Sequence, residues 1–155
     1  MSLDIAAFGA LALEHLVLDY NGTLAMDGRL LPGVKSRLDR LTRSLRIHVV
    51  TADTFGKARA SLANLDCRLE ILASGAEDRA KAAYVRRLGA ERVACIGNGR
   101  NDRLMLKTAR LGVAVIQAEG AAVQTLAAAD LVLPSIIDAL DLFQKPRRLV
   151  ASLRS

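Results

Sequence analysis

Short apolar runs alternate with longer amphipathic stretches along the chain, and this alternation predicts its elements. Leu13 to Asp19 (LEHLVLD) reads as a strand that becomes continuously apolar at Leu16, Val17 and Leu18. Gly22 to Leu31 is a turn-rich loop in which Asp27-Gly28 is a hairpin turn pair. Pro32 stands where a first helical turn tolerates it, and Val34, Leu38 and Leu41 give Val34 to Arg43 helical spacing. The same unit repeats in outline: strand Leu45 to Thr51 with helix Phe55 to Asn64, then strand Cys67 to Ala73 with helix Ala76 to Leu88, C-capped by Gly89. Strand Arg92 to Ile96 is followed by a Gly-rich loop and a helix from Asp102 to Ala109. Gly112 to Ile116 and Asp130 to Leu133 read as two further strands around a helix from Gly120 to Ala128. Ser135 N-caps a last helix through Phe143, which Pro146 stops. Ahead of all this, Leu3 to Phe8 and Ala10 to Leu13 pair around Gly9 as a small hairpin.

Alternation of this kind predicts an α/β fold: a three-layer, Rossmann-like parallel sheet with helices on both faces. Strands covered on both sides read as unbroken apolar runs, as Val49-Val50 and Val93-Ala94-Cys95-Ile96 do. The chain shows no linker, repeat or second domain, so residues 1–155 are expected to form one domain, with a core over about 13–144 and a basic tail at 145–155.

Composition narrows the picture. With 52% hydrophobic and 25% charged residues the chain is no disordered protein, and with 3% aromatics and no Trp its core must be built from Leu, Val, Ile and Ala. No apolar stretch reaches the roughly eighteen residues needed to cross a bilayer. Met1 to Leu13 lacks a basic leading region and carries Asp4, against a signal peptide. Cys67 and Cys95 lie in apolar runs and are expected to be buried thiols, which implies a reducing, cytoplasmic location. The net charge of +6 raises the question of nucleic acid. However, Lys145, Arg147, Arg148 and Arg154 crowd the tail, the other basic residues are scattered over helical faces, and no aromatics interleave them to stack bases.

Ligands of open parallel sheets bind at the carboxyl ends of the strands. There the first strand ends in Asp19-Tyr20-Asn21-Gly22-Thr23, the second in Thr51-Ala52-Asp53 and the fourth in Gly97-Asn98-Gly99-Arg100-Asn101-Asp102, with Lys81 on an intervening helix. Such a set suits phosphoryl transfer from a small phosphorylated substrate. Asp19 can attack phosphorus to form an aspartyl-phosphate, and paired carboxylates hold Mg²⁺. Thr51 and loop amides such as those of Gly22 and Ala52 can bind phosphoryl oxygens, and Lys81 can neutralise charge on phosphate and on Asp19.

DYNGT at 19–23, Thr51, Lys81 and GNGRND at 97–102 together resemble the four ordered motifs of the haloacid dehalogenase (HAD) superfamily, over Leu16 to about Leu133. GNGRND followed by RLMLKTA is most similar to the soluble, P-type ATPase-like branch. The resemblance implies Asp19 as nucleophile and Mg²⁺ ligand, and the Asn21 backbone carbonyl as a second ligand. It further implies Thr51 and Lys81 on the phosphate, Asp102 on the metal directly or through water, and Thr23 steadying the loop. Two positions depart from the family. Asn21 stands where its phosphatases carry an acid–base Asp, and an amide exchanges no proton near neutral pH. Asn98 stands where a metal-binding Asp is common; its amide oxygen still coordinates, with one negative charge fewer. Phosphorylation followed by slow turnover is therefore expected. The alternative is a catalytically impaired module kept for binding or regulation, and a third reading is nucleic acid binding through the tail.

About thirty residues separate Asp19 from Thr51, and about as many separate Thr51 from Lys81, which leaves no room for a cap domain. An uncovered site takes a large substrate or is roofed by a neighbouring subunit, so a homo-oligomer is expected. More ordinary roles compete at single positions: a turn cap for Asp19, helix N-caps for Asp53 and Asp102, solvation for Lys81, packing for Tyr20, His15 and His48, and a solvated end for the tail.

Overall fold

A computed structural model of the chain describes residues 1–53 and 56–154. It opens on an antiparallel hairpin of β1 (Ser2–Ile5) and β2 (Gly9–Ala12), in which Ile5 pairs with Gly9. Next come β3 (His15–Leu18), a second small hairpin of β4 (Ala25–Met26) and β5 (Arg29–Leu30), α1 (Val34–Leu41) and β6 (Arg46–Thr51). They are followed by α2 (Ala58–Leu62), β7 (Arg68–Ile71), α3 (Glu77–Leu88) and β8 (Val93–Gly97). The chain continues through α4 (Arg103–Thr108), β9 (Leu111–Val115), α5 (Val123–Leu126) and β10 (Leu131–Leu133) to α6 (Ile136–Gln144) and α7 (Pro146–Leu153).

Six strands form one parallel sheet in the order β10-β9-β8-β3-β6-β7. Successive side chains of a strand point to opposite faces, and the core divides accordingly. Leu16, Leu18, Val49 and Ile96 face the layer carrying Val34 and Leu38 of α1 and Ile136 and Leu140 of α6. Val17, Val50 and Cys95 face Val85 of α3 and Met105 and Leu106 of α4. Between β3 and α1 stands only the β4–β5 hairpin, whose turn residues Asp27 and Gly28 both have positive φ (51° and 73°). Nothing longer than residues 72–76 lies between β7 and α3, so neither position carries a cap domain. Among the described residues, no helix is long and apolar enough to cross a membrane.

Several expectations are revised. The second helix is shorter than Phe55 to Asn64; it runs Ala58–Leu62, and Phe55 lies outside the described residues. The expected helix Gly120 to Ala128 reduces to Val123–Leu126, because residues 117–120 form a turn docked on the loop after β3. Ser135 does cap α6, accepting the Asp138 N–H at 3.1 Å. Pro146 does not merely end that helix; it occupies the first turn of α7. The basic tail is thus a helix whose Leu149 is fully buried and which packs on β1, so the core reaches beyond residues 13–144 at both ends. Cys95 is buried, whereas Cys67 is only half-buried.

Candidate active site

The sheet order reverses between β3 and β8. The chain leaves β3 toward β6 on one side and returns to β8 on the other, so the loops after β3 and β8 diverge over a crevice. Asp19 lies one residue past Leu18, whose lateral partners are Val49 and Ile96. Its N–H still donates to the Ile96 carbonyl at 3.0 Å, which fixes the start of its side chain between two flanking strands.

Lys81 reaches this point from the covering layer, on the same face of α3 as the buried Tyr84 and Val85. Its Nζ donates to Asp19 Oδ1 at 2.6 Å and to Asp102 Oδ1 at 2.7 Å. Lys81 and Asp102 are 0% exposed and Asp19 5%. The second oxygen of Asp102 accepts the N–H groups of Asn98 (3.0 Å) and Gly99 (2.9 Å). Both Asp102 oxygens are therefore taken by protein donors, and the residue ties the β8 loop to Lys81. Gly97 makes room for it: a Cβ there would stand 2.5 Å from Asp102 Cγ.

Thr23 Oγ1 donates to Asp19 Oδ2 at 3.1 Å and lies 3.3 Å from Asn98 Oδ1, linking the loops after β3 and β8. Thr51, at the end of β6, is buried, and its Oγ1 accepts the Asp53 N–H at 3.0 Å, with the half-buried Ala52 between them. Asp53 Oδ1 in turn accepts the Lys57 and Ala58 N–H groups, each at 3.0 Å, and so caps the start of α2. The N–H of Gly22 is engaged within its own loop, by the Ala25 carbonyl at 2.8 Å. Asn21 Oδ1 is buried and has no hydrogen-bond partner among the described residues. Hydrogen bonds thus join Asp19, Thr23, Lys81, Asn98 and Asp102 into one network, with Thr51 and Ala52 on the neighbouring strand end.

Two carboxylates and one ammonium, all out of water, leave a net negative charge. Burial first, and then the Asp102 charge, push the Asp19 carboxyl up to about 6 against the pull of Lys81 and Thr23. Burial works against the Lys81 ammonium too, but Asp19 and Asp102 outweigh it and hold its pKa above the ordinary value. A cation would relieve that imbalance. Asp19 Oδ2 and Asn98 Oδ1, each facing only the Thr23 hydroxyl and keeping a lone pair, and the Asn21 backbone carbonyl are hard oxygen donors of the kind Mg²⁺ takes. The described residues place no three His, Cys, Asp or Glu together for an ion, so one held here would rely on few charges.

Three residues at this edge had no motif to announce them. Gln117 Nε2 donates to the Gly22 and Thr23 carbonyls at 2.7 and 2.8 Å, and its Oε1 accepts the Ile136 N–H at 3.1 Å. Thr125 Oγ1 donates to the Gly99 carbonyl at 2.7 Å. Glu119 extends over Gly22. Only their position after β9, at the same sheet edge, could have suggested them. At the opposite edge, the His15 and His48 imidazoles meet at 2.9 Å and His48 Nδ1 meets Tyr84 Oη at 2.9 Å, so these histidines stay away from the crevice.

A six-stranded parallel sheet of this order, without a cap and with Asp19 at its reversal point, is the fold of the HAD superfamily. The chain has 16% identity and a TM-score of 0.73 to the 3-deoxy-D-manno-octulosonate 8-phosphate phosphatase of Moraxella catarrhalis, a structure in complex with magnesium and phosphate ions, over 92% of this chain and 94% of that one. It also matches a zinc-transporting PIB-type ATPase at 20% identity and a TM-score of 0.64, over 79% of this chain and 20% of that one. Both likenesses are of fold. No family model matches the chain. It belongs to the same family as the uncharacterized protein MJ0073 of Methanocaldococcus jannaschii, with 43% identity over 84 residues, 52% of this chain and 90% of that protein.

Proposed function

We propose that this chain is a Mg²⁺-dependent phosphohydrolase that takes the phosphoryl group of a small phosphorylated substrate onto Asp19. The observation that carries this reading is the buried Asp19 carboxylate at the sheet's reversal point, held by Lys81 at 2.6 Å. With Oδ1 on Lys81, Oδ2 is the oxygen directed to substrate; a P–O bond forms there as the bond to the leaving oxygen breaks. Thr51 and the loop amides after β6 receive the phosphoryl oxygens, and Lys81 balances the charge that builds up on them. Mg²⁺, held by Asp19, the Asn21 carbonyl and Asn98, would supply further positive charge. Asp102 holds Lys81 in place. Asn21 gives no proton to the departing oxygen, so solvent must supply it, and hydrolysis of the aspartyl-phosphate lacks a base. A cleft of about 360 Å³ lined by Gly75, Glu77, Asp78, Arg100, Asn101 and Arg103 borders the β8 loop and offers room for the rest of a substrate.

The phosphatase likeness and the P-type ATPase likeness both support phosphoryl chemistry, and a slow aspartyl-phosphate suits the P-type-like branch. A generic aryl phosphate should be hydrolysed with Mg²⁺, with the rate lost in Asp19→Asn; a rate that survives this substitution removes the reading. The amides at 21 and 98 favour a second reading, a phosphorylatable or impaired module that regulates by binding. Asn21→Asp separates the two: a competent site missing its acid–base group should gain about 10²–10⁴-fold in turnover, and an impaired one should not. Ile116 and Val123, 42% and 75% exposed, flank the loop that bears Glu119 and support covering of the open site by a second copy. Light scattering at the mass of one chain would remove that element. The two free thiols support a reducing, cytoplasmic setting.

A further inference from the structure

The geometry points to Glu119 as the carboxylate that completes the cation site in place of the one Asn98 lacks. This inference rests on reading the Asp19 crevice as the Mg²⁺ site. It begins with what the amide at 98 does. Asn98 Nδ2 donates to the Gly120 carbonyl at 3.1 Å, and the Asn98 carbonyl accepts the Ala122 N–H at 3.0 Å. A carboxylate at 98 would set oxygen against the Gly120 oxygen and push that turn away. An amide draws it in. Gln117 clamps the same turn to the Gly22 and Thr23 carbonyls, and Gln117 and Gly120, both at positive φ (52° and 76°), bend it toward the nucleophile loop.

The side chain delivered by this turn is Glu119. A methyl group on Gly22 would stand 2.6 Å from Glu119 Oε2, 2.6 Å from Asn98 Nδ2 and 2.8 Å from Asn98 Oδ1. The Glu119 carboxylate and the Asn98 amide thus share the space over Gly22, three residues from the nucleophile. Glycine is needed there both for that space and for its φ of +78°. Glu119 makes no hydrogen bond or ion pair with another described side chain, and its side chain is exposed, so its charge is available. The site's anionic ligand has in effect moved from the β8 loop to the β9 loop, and the amide left behind docks the loop that carries it. Glu119 binds the cation directly or through a bound water; either way it restores the missing negative charge.

The test is calorimetric titration of the whole chain with Mg²⁺ alone, without substrate. Glu119→Gln should weaken affinity on the order of tenfold or more while leaving the melting temperature unchanged, and Glu119→Ala should do the same. Placing a carboxylate at the other position should make Glu119 dispensable, so the loss caused by Glu119→Gln should be much smaller in an Asn98→Asp background. Unchanged affinity in Glu119→Gln, alongside a loss in Asp19→Asn, overturns the role of Glu119 and leaves the Asp19 site standing. Equal losses on the two backgrounds overturn the exchange of ligands. Unchanged affinity in Asp19→Asn overturns the site itself.

Discussion

Lys81 holds two buried carboxylates with one charge, and Asp19 carries the cost. Burial and Asp102 raise its carboxyl to about 6 in the fold, above its ordinary value of 3.8. An acid raised by folding is penalised when ionised: the penalty is absent below the unfolded value, grows as pH rises from there, and is complete above the folded value. Asp19→Asn should therefore raise the melting temperature in Mg²⁺-free buffer above pH 7. A gain on the order of 1 kcal/mol would appear as about 2–4 °C. The gain should shrink as pH falls through 6 toward 4, and thermal scans across that range check it; a variant less stable than the parent at pH 7.5 would contradict the charge imbalance. The ionised Asp19 carboxylate is thus a stability defect at the centre of the crevice. Asp19, Thr51, Lys81 and Asp102 were legible in the sequence because each follows an apolar run or sits at fixed distance from one. The donors on Asp102 were not, since Lys81 Nζ and the Asn98 and Gly99 N–H groups reach its two oxygens from different parts of the chain.

Elements were legible to the extent that their signal was local. The Asp27-Gly28 turn, the Gly89 cap and the Ser135 cap are short-range chemistry, and each is found where its residues stand. The helix expected from Gly120 to Ala128 rests on the alanine-rich run 121–128. Its first residues are instead claimed by Gln117 and Asn98, whose partners lie far away along the chain. No local pattern carries that information. The His15–His48–Tyr84 chain, which links β3, β6 and α3, is equally non-local. Burial first, then His15, Arg68 and Arg46, lower His48 to about 4. A histidine depressed in this way stabilises the fold fully above its unfolded value near 6.5, and loses that contribution as pH falls toward 4. His48→Gln, which cannot titrate, should be less stable than the parent at pH 7.5, with the difference narrowing between pH 6.5 and 4. Urea unfolding at several pH values measures this, and a difference that does not change with pH would contradict it.

On the scale of the whole molecule, the layered sheet followed from alternation alone, while the ends did not. Pro146 and a run of basic residues read as a stop and a solvated tail. The single buried Leu149, on a helix that packs against β1, instead makes α7 part of the core on that face. Leu149→Ala should cost about 2–4 kcal/mol, and chemical denaturation of the full chain reads it directly; a change under about 0.5 kcal/mol, the scale of an ordinary surface substitution, would return α7 to the role of a surface appendage. The burial of Lys81 has a consequence of another kind. Of five lysines in the chain, Lys35, Lys57, Lys107 and Lys145 are exposed, and Lys81 alone is sealed and held charged. Amine-acylating reagents need a free base that they can reach, so they should decorate the folded surface and leave the centre of the site unmarked. Acylation at Lys81 would therefore record only those moments when α3 has lifted from the sheet, which makes this residue a chemical clock for the opening of the fold.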